Sequence, residues 1–235
     1  MSEWRADGNP ISSPAVWRDP RLVIFDCDGV LVDSEVISNR VLAEMLSAEG
    51  LSTTLAQARR DYQGLMLGEV VVRVQEKLGR TLPRDWLDRY EAERAAAFQR
   101  ELEPVAGAAE AVERIKAAGI GVCVASQGAL AKTRLSLALT GLDRLFPETA
   151  RFSAHSVAHG KPAPHLFLHA AESMGAAPPS CVVVEDSPSG VSAAVSAGMR
   201  AVGYAADSDE RALQDAGATE TFGSLDELPR VLGLD

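Results

Sequence analysis

Cysteine is scarce in this chain, and what there is forms no pattern. The 235 residues hold three, Cys27, Cys123 and Cys181, each inside an apolar run: VIFDCD, GVCVAS and SCVVVED. Their spacing fits no zinc site and an odd number cannot all pair, so buried free thiols in a reducing compartment are expected. Long apolar runs are missing too, since none reaches the length of about 18 residues that a membrane span requires. The first residues include Glu3, Arg5 and Asp7 around no apolar centre, unlike a secretory signal. A cytoplasmic location follows as the expectation. Positive charge is also short: 23 Lys and Arg face 33 Asp and Glu, a net charge of -10. Such a field repels nucleic acid and anionic membranes, and neither is expected as a partner. It would repel a phosphorylated substrate as well, unless a metal or local cations reverse the sign at the site. Internal repeats and low-complexity segments are absent.

The composition is otherwise that of a soluble globular protein, with 46% hydrophobic and 24% charged residues. Residues 1–20 form a leader with three prolines and two tryptophans, Trp4 and Trp17. It reads as a frayed terminus or as an arm that packs through its aromatics. RLVIFD (residues 21–26) is a buried strand. From Ser34 to about Glu103 the pattern is helical throughout, punctuated by Gly50, Gly64 and Gly79. From Pro104 strand and helix alternate. The strands are IGVCVAS, a short one over residues 151–154, CVVVED and MRAVGY, which makes five with the first. This order implies an α/β protein with a Rossmann-like parallel-sheet core, residues 21–35 and 104–235, and an inserted all-helical cap, residues 36–103. Parallel sheets bind ligands beyond the carboxyl ends of their strands, so the chemistry is sought there.

Three strand ends and one loop carry the candidates. The first strand ends in Asp26-Cys27-Asp28-Gly29, and strand alternation points both aspartates to one side. Two such carboxylates repel unless a cation lies between them or one is needed as an acid. Gly29 permits a sharp exit. CVVVED ends in Glu185 and Asp186, followed by Ser-Pro-Ser-Gly, which opens a helix. IGVCVAS ends in Ser126, with Gln127 and Gly128 before the next helix; a hydroxyl and free N–H groups at a helix start suit an anion. Lys161 sits in HGKPAPH, just before a helix that Pro162 or Pro164 can start. Any one of these alone is usually a cap, a turn or a solvated lysine. Together, in this order, they describe a pocket of four carboxylates and one lysine, which a divalent metal brings near neutrality. Hard oxygens select magnesium over zinc. His155, His159, His165 and His169 cluster in sequence without a nearby acidic ligand, and a structural reading is preferred for them.

Residues 26–35, DCDGVLVDSE, resemble the first motif of the haloacid dehalogenase-like superfamily. Ser126 resembles the second motif, Lys161 in GKPAP the third, and Glu185-Asp186 in VEDSPSGVSAAVSAGM the fourth. The resemblance covers about residues 21–225, and the helical block is similar to that family's cap. It implies that Asp26 attacks phosphorus, becomes an aspartyl phosphate and binds magnesium. Asp28 would lend its backbone carbonyl to the metal and its carboxyl as acid and then base. Ser126, Gln127 and Lys161 would hold the phosphate. Asp186 would ligate the metal, with Glu185 assisting directly or through a bound water. Asp28 argues against a dehalogenase, which lacks the second acid. The subgroup resembles β-phosphoglucomutase and sugar-phosphate phosphatases. A mutase carries a histidine where Ser38 stands and a cap arginine where Leu67 stands. The expectation is therefore a magnesium-dependent phosphatase of sugar or sugar-acid phosphates such as phosphogluconate, with a phosphosugar mutase as the alternative. The cap loop from Gly64 to Glu69 is the candidate for substrate contact, residues 34–38 and 102–107 are candidate hinges, and a monomer or weak homodimer is expected.

Overall fold

A computed structural model of the chain describes residues 20–234. The predicted leader, except Pro20, lies outside the described residues. Six strands are present: β1 (Leu22–Phe25), β2 (Gly121–Ser126), β3 (Arg151–Ser153), β4 (Cys181–Glu185), β5 (Arg200–Tyr204) and β6 (Glu220–Phe222). They form one sheet in the order β3-β2-β1-β4-β5-β6, and every neighbouring pair is parallel. The sixth strand corrects the sequence reading of five. It is a three-residue edge strand whose first two residues are only half-buried, so it carries no apolar run to announce it.

The central strands are apolar because helices cover both of their faces. Alternation divides each strand between two clusters. Val23, Phe25, Val122, Val124, Val182 and Val184 enter one; Leu22, Ile24, Cys123, Ala125, Cys181 and Val183 enter the other. All three cysteines are buried and unpaired. Burial pushes the Cys27 thiol up to about 12, so it is inert beside its two aspartates.

Between β1 and β2 lie α1 (Glu35–Ala48), α2 (Leu55–Tyr62), α3 (Leu67–Leu78), α4 (Trp86–Glu101) and α5 (Ala108–Ala117). The first four form the helical cap; α5 packs on the sheet beside β2. Thr54 and Gln57 close a reciprocal capping box that starts α2, and Gly79 ends α3 in the left-handed region. Trp86 and Tyr90 stack at 5.8 Å inside the cap. The cap interior joins the first sheet cluster without a break, through residues such as Ile37, Leu46, Tyr90 and Phe98.

The two chain crossings into the cap are bonded to each other. Asp33 N–H donates to Glu103 O at 3.1 Å and Val105 N–H to Leu31 O at 3.0 Å, around a bridge between Val32 and Pro104. The remaining helices are α6 (Leu130–Leu139), α7 (His165–Ser173), α8 (Pro188–Ser196), α9 (Glu210–Asp215) and α10 (Leu228–Val231). From β1 the chain builds outward to β3, then returns to β4 and builds the other way. The crevice at such a reversal lies over the carboxyl ends of β1 and β4.

Candidate active site

A cavity of about 180 Å³ opens over those ends, between sheet and cap. Asp26, Asp28, Gln127, Lys161 and Asp186 line it from the core and Gly64 from the cap. Two further predicted residues lie just behind its wall, Ser126 and Glu185, both fully buried.

Asp26 follows β1 directly, and its N–H still pairs with Val184 O at 3.0 Å. Its carboxylate accepts from the Lys161 ammonium, which also reaches Glu185. Burial alone would depress the Lys161 ammonium. The carboxylates of Asp26 and Glu185 outweigh burial and hold it above an ordinary lysine, so it stays charged. Glu185 also accepts from Ser187 N–H at 3.2 Å and Ser187 Oγ at 2.8 Å. Its carboxylate therefore orients Lys161 and the start of α8. Gln127 Oε1 accepts Lys161 N–H at 2.9 Å, which ties the lysine loop to the end of β2.

Asp28 lies in the turn after β1. Its carboxylate accepts from Ser34 Oγ, from Ser126 Oγ at 3.3 Å and from Lys132 Nζ. Ser126 Oγ accepts Gly128 N–H at 3.0 Å. Gly29 has φ of 79°, and a Cβ there would stand 2.1 Å from Asp186 Oδ2. A side chain at that position would collide with the Asp186 carboxylate, so only glycine serves both the turn and the site.

Unlike Asp26, Asp28 and Glu185 beside it, Asp186 accepts no hydrogen bond at its carboxylate from a described residue. Burial, and then the charges of Glu35, Glu185 and Asp26, push it well above the ordinary carboxylate range. A half-buried carboxylate without a donor, set among other carboxylates, is the environment a cation relieves. The Asp28 backbone carbonyl likewise accepts no bond from the described residues. Hard oxygens from Asp26, Asp28 and Asp186 are the donor set that suits magnesium.

The sequence profile of the haloacid dehalogenase-like hydrolases matches residues 20–198. The chain belongs to this family of hydrolases. Among its relatives, 6-phosphogluconate phosphatase of Escherichia coli K12 is 33% identical over 210 residues, covering 89% of this chain and 93% of that protein. Hexitol phosphatase B of the same organism is 31% identical over 182 residues, covering 76% and 81%. A solved structure of a HAD family hydrolase from Deinococcus radiodurans R1, with bound phosphate and sodium, superposes with a TM-score of 0.75 at 31% identity. That superposition covers 92% of this chain and 97% of that one.

The site also holds residues that the sequence reading passed over. Lys132 stands in α6, four positions past Gly128, with no motif around it in the sequence. In the structure it is nearly enclosed, ion-paired to Asp28 and 5.8 Å over the Phe98 ring of the cap. Glu35 opens α1, lines the cavity and accepts from Gln63 Nε2 of the cap loop. Burial and the nearby Asp26 charge push its carboxyl up to about 7. Arg94 of α4 lines the cavity too. Of the four histidines, His155 lines the cavity, His159 and His165 meet ring to ring at 5.2 Å, and His169 stands edge-on to Phe152. No helix among the described residues is long and apolar enough to cross a membrane.

Proposed function

We propose that the chain is a magnesium-dependent phosphatase of small sugar or sugar-acid phosphates, 6-phosphogluconate among them, working through an aspartyl phosphate on Asp26. The observation that carries this reading is the junction of β1 and β4. There a lysine-bound Asp26, an acid-base candidate Asp28 and an unsatisfied Asp186 converge under one cavity. The phosphatase relatives support it.

Asp26, Asp186 and the Asp28 carbonyl would hold the magnesium, with Glu185 behind them. When bound, the metal supplies positive charge that lets an anionic ester approach the carboxylates and offsets charge on the transferring phosphoryl group. An Asp26 oxygen attacks phosphorus and the bond to the leaving alcohol breaks. The Asp28 carboxyl gives that alcohol its proton. Asp28, now a carboxylate, takes a proton from water as the water oxygen attacks phosphorus. The Asp26–phosphorus bond breaks, inorganic phosphate leaves and Asp28 is protonated again. Lys161 and Ser126 hold phosphoryl oxygens, and Gln127 keeps the Lys161 loop in place. Ser126 Oγ would exchange its long bond to Asp28 for a phosphoryl oxygen.

Ser38 and Leu67 both line the cavity. A hydroxyl and an isobutyl group there give a sugar no charged handle with which to gate Asp28, which favours water as the acceptor. A screen of phosphate release with magnesium, over sugar phosphates, sugar-acid phosphates, nucleotides and p-nitrophenyl phosphate, tests the proposal. Release from the sugar-acid or sugar esters is expected, and silence on every ester would refute it. A phospho-enzyme formed with acetyl phosphate should hydrolyse quickly without sugar. One that persists for minutes and then transfers to glucose 1-phosphate would convert the reading to a mutase.

A further inference from the structure

Three strongly basic side chains line the cavity: Lys132, Lys161 and Arg94. Two of them are already committed. Lys161 is held between Asp26 and Glu185, and Lys132 is paired with Asp28. Arg94 is in an ion pair with none of the described carboxylates. Its guanidinium stands over the Tyr90 ring, 5.1 Å from the centroid. Among the described residues, five other cap arginines meet carboxylates, and the three that do not, Arg59, Arg73 and Arg84, lie outside this cavity. Within α4 itself, Arg89 pairs with Glu49 and Asp85, and Arg100 pairs with Glu101. Elsewhere in the cap, Arg40, Arg60 and Arg80 each meet a carboxylate as well.

Helical spacing explains where Arg94 faces. Tyr90, Arg94 and Phe98 are four residues apart and share one stripe of α4. Tyr90 and Phe98 are buried, 3% and 1% exposed, and Phe98 lies under Lys132 of α6. Arg94, between them, is therefore turned toward the core and half-buried at the cap end of the cavity. A guanidinium drawn out of water without an anion loses hydration that the hydroxyl and ring of Tyr90, the ring worth about 0.5–1 kcal/mol, offset only in part.

We infer that Arg94 reads a second negative charge on the substrate, a carboxylate at the end of the molecule remote from the phosphoester. The inference rests on the phosphatase reading and narrows it to sugar-acid phosphates. One planar guanidinium matches one carboxylate in charge and in its two-toothed geometry. A second phosphate dianion is matched less well, because Lys132 and Lys161 are both spoken for and the acidic Glu91 sits on the same wall. Tyr90, with its hydroxyl directed to Ser38 O at 3.4 Å, backs the guanidinium and limits its rotation.

The test compares two esters that differ at that remote end: 6-phosphogluconate, an acid, and glucitol 6-phosphate, a neutral polyol. Phosphate release by the parent chain gives a ratio of kcat/KM for acid over polyol. The same ratio is measured for Arg94→Gln and Arg94→Lys, which cancels any difference in folded fraction. Calorimetric dissociation constants for both esters, with magnesium, in an Asp26→Asn background provide a readout that does not depend on turnover. The parent should prefer the acid. Arg94→Gln should cut the preference by about 30-fold in both kcat/KM and binding, the size expected for one charge-assisted hydrogen-bonded pair, and Arg94→Lys by less. A parent without preference for the acid, or a preference untouched by Arg94→Gln, would overturn the inference. So would a parent that favours a hexose bisphosphate over both. Absence of phosphate release from either ester would sink the phosphatase reading instead, while the binding ratio still decides the role of Arg94.

Discussion

On the strand-end wall of the cavity nearly every acid is held by a named donor. Lys161 holds Asp26, while Ser34, Ser126 and Lys132 hold Asp28. Lys161 and Ser187 hold Glu185. On the cap wall, Tyr62, Leu65, Met66, Leu67 and Val70 present mainly apolar surface. Polar contacts on that wall are sparse, such as Gln63 with Glu35. A wall of interlocked charges can be altered only by breaking a network, because each removal leaves a buried partner uncompensated. A wall of apolar side chains and one free arginine can be altered one residue at a time. On the proposed function, reaction chemistry belongs to the sheet and substrate choice to the cap.

The hardest blow to the sheet side is Asp26→Asn. It keeps the shape and removes the attacking charge, so turnover should fall on the order of 10⁴-fold or more while the fold persists. Phosphate release together with circular dichroism checks it, and steady turnover by the pure variant would erase the assignment. Metal removal comes next. Chelation should abolish phosphate release and magnesium should restore it. Calcium should occupy the oxygens yet support little turnover, since its larger and looser coordination misplaces the nucleophile. Full activity after exhaustive chelation would contradict the proposed role of Asp186.

Lys132→Met sharpens the comparison, because Lys132 sits where the two walls meet. Losing its pair with Asp28 should lower kcat by about 10- to 100-fold with a smaller change in KM. A change confined to KM would move Lys132 from positioning Asp28 to binding substrate. The mildest test is Glu35→Gln. Glu35 is pushed up to about 7 from an ordinary 4.5, first by burial and then by Asp26, with Glu185 adding to and Arg59 and Gln63 opposing the shift. A carboxyl raised in the folded state favours the fold while protonated. Its contribution is complete below the unfolded value and disappears as pH climbs through the folded one. In metal-free protein the unfolding free energy of the parent, relative to Glu35→Gln, should decline between about pH 4.5 and 7 and then level off. Urea titrations across that window measure it, and a flat difference would show that Glu35 is not desolvated.

Most of the strand-end wall was legible in the sequence because its residues sit at fixed offsets from apolar runs. Asp26, Asp28, Ser126, Glu185 and Asp186 each follow or end a strand that announces itself by β-branched residues. The structure brings them together with Lys161 and adds that Ser126 and Glu185 lie behind the cavity wall. Lys132 and Arg94 were illegible for a physical reason. Lys132 is the third residue of α6 and Arg94 lies in the middle of α4, places on a helix from which a long cation normally projects into water. Only the packing of α4 against α6 turns both inward. The edge strand β6 escaped for a related reason: Glu220 and Thr221 are half-exposed and give no period-two signal.

The paired crossings between core and cap bear on how such a chain is assembled. Asp33 is bonded to Glu103 and Leu31 to Val105 around the facing pair Val32 and Pro104, so the whole cap leaves and re-enters the core at one point. For the core, everything between them is a single long loop whose ends are already closed. Closing a loop costs entropy only as the logarithm of its length. The core thus tolerates helical inserts of very different sizes at this junction, and a short turn from Val32 to Pro104 would remove the cap without removing a strand. Core and cap are segments of one polypeptide joined at a seam three residues wide on each side.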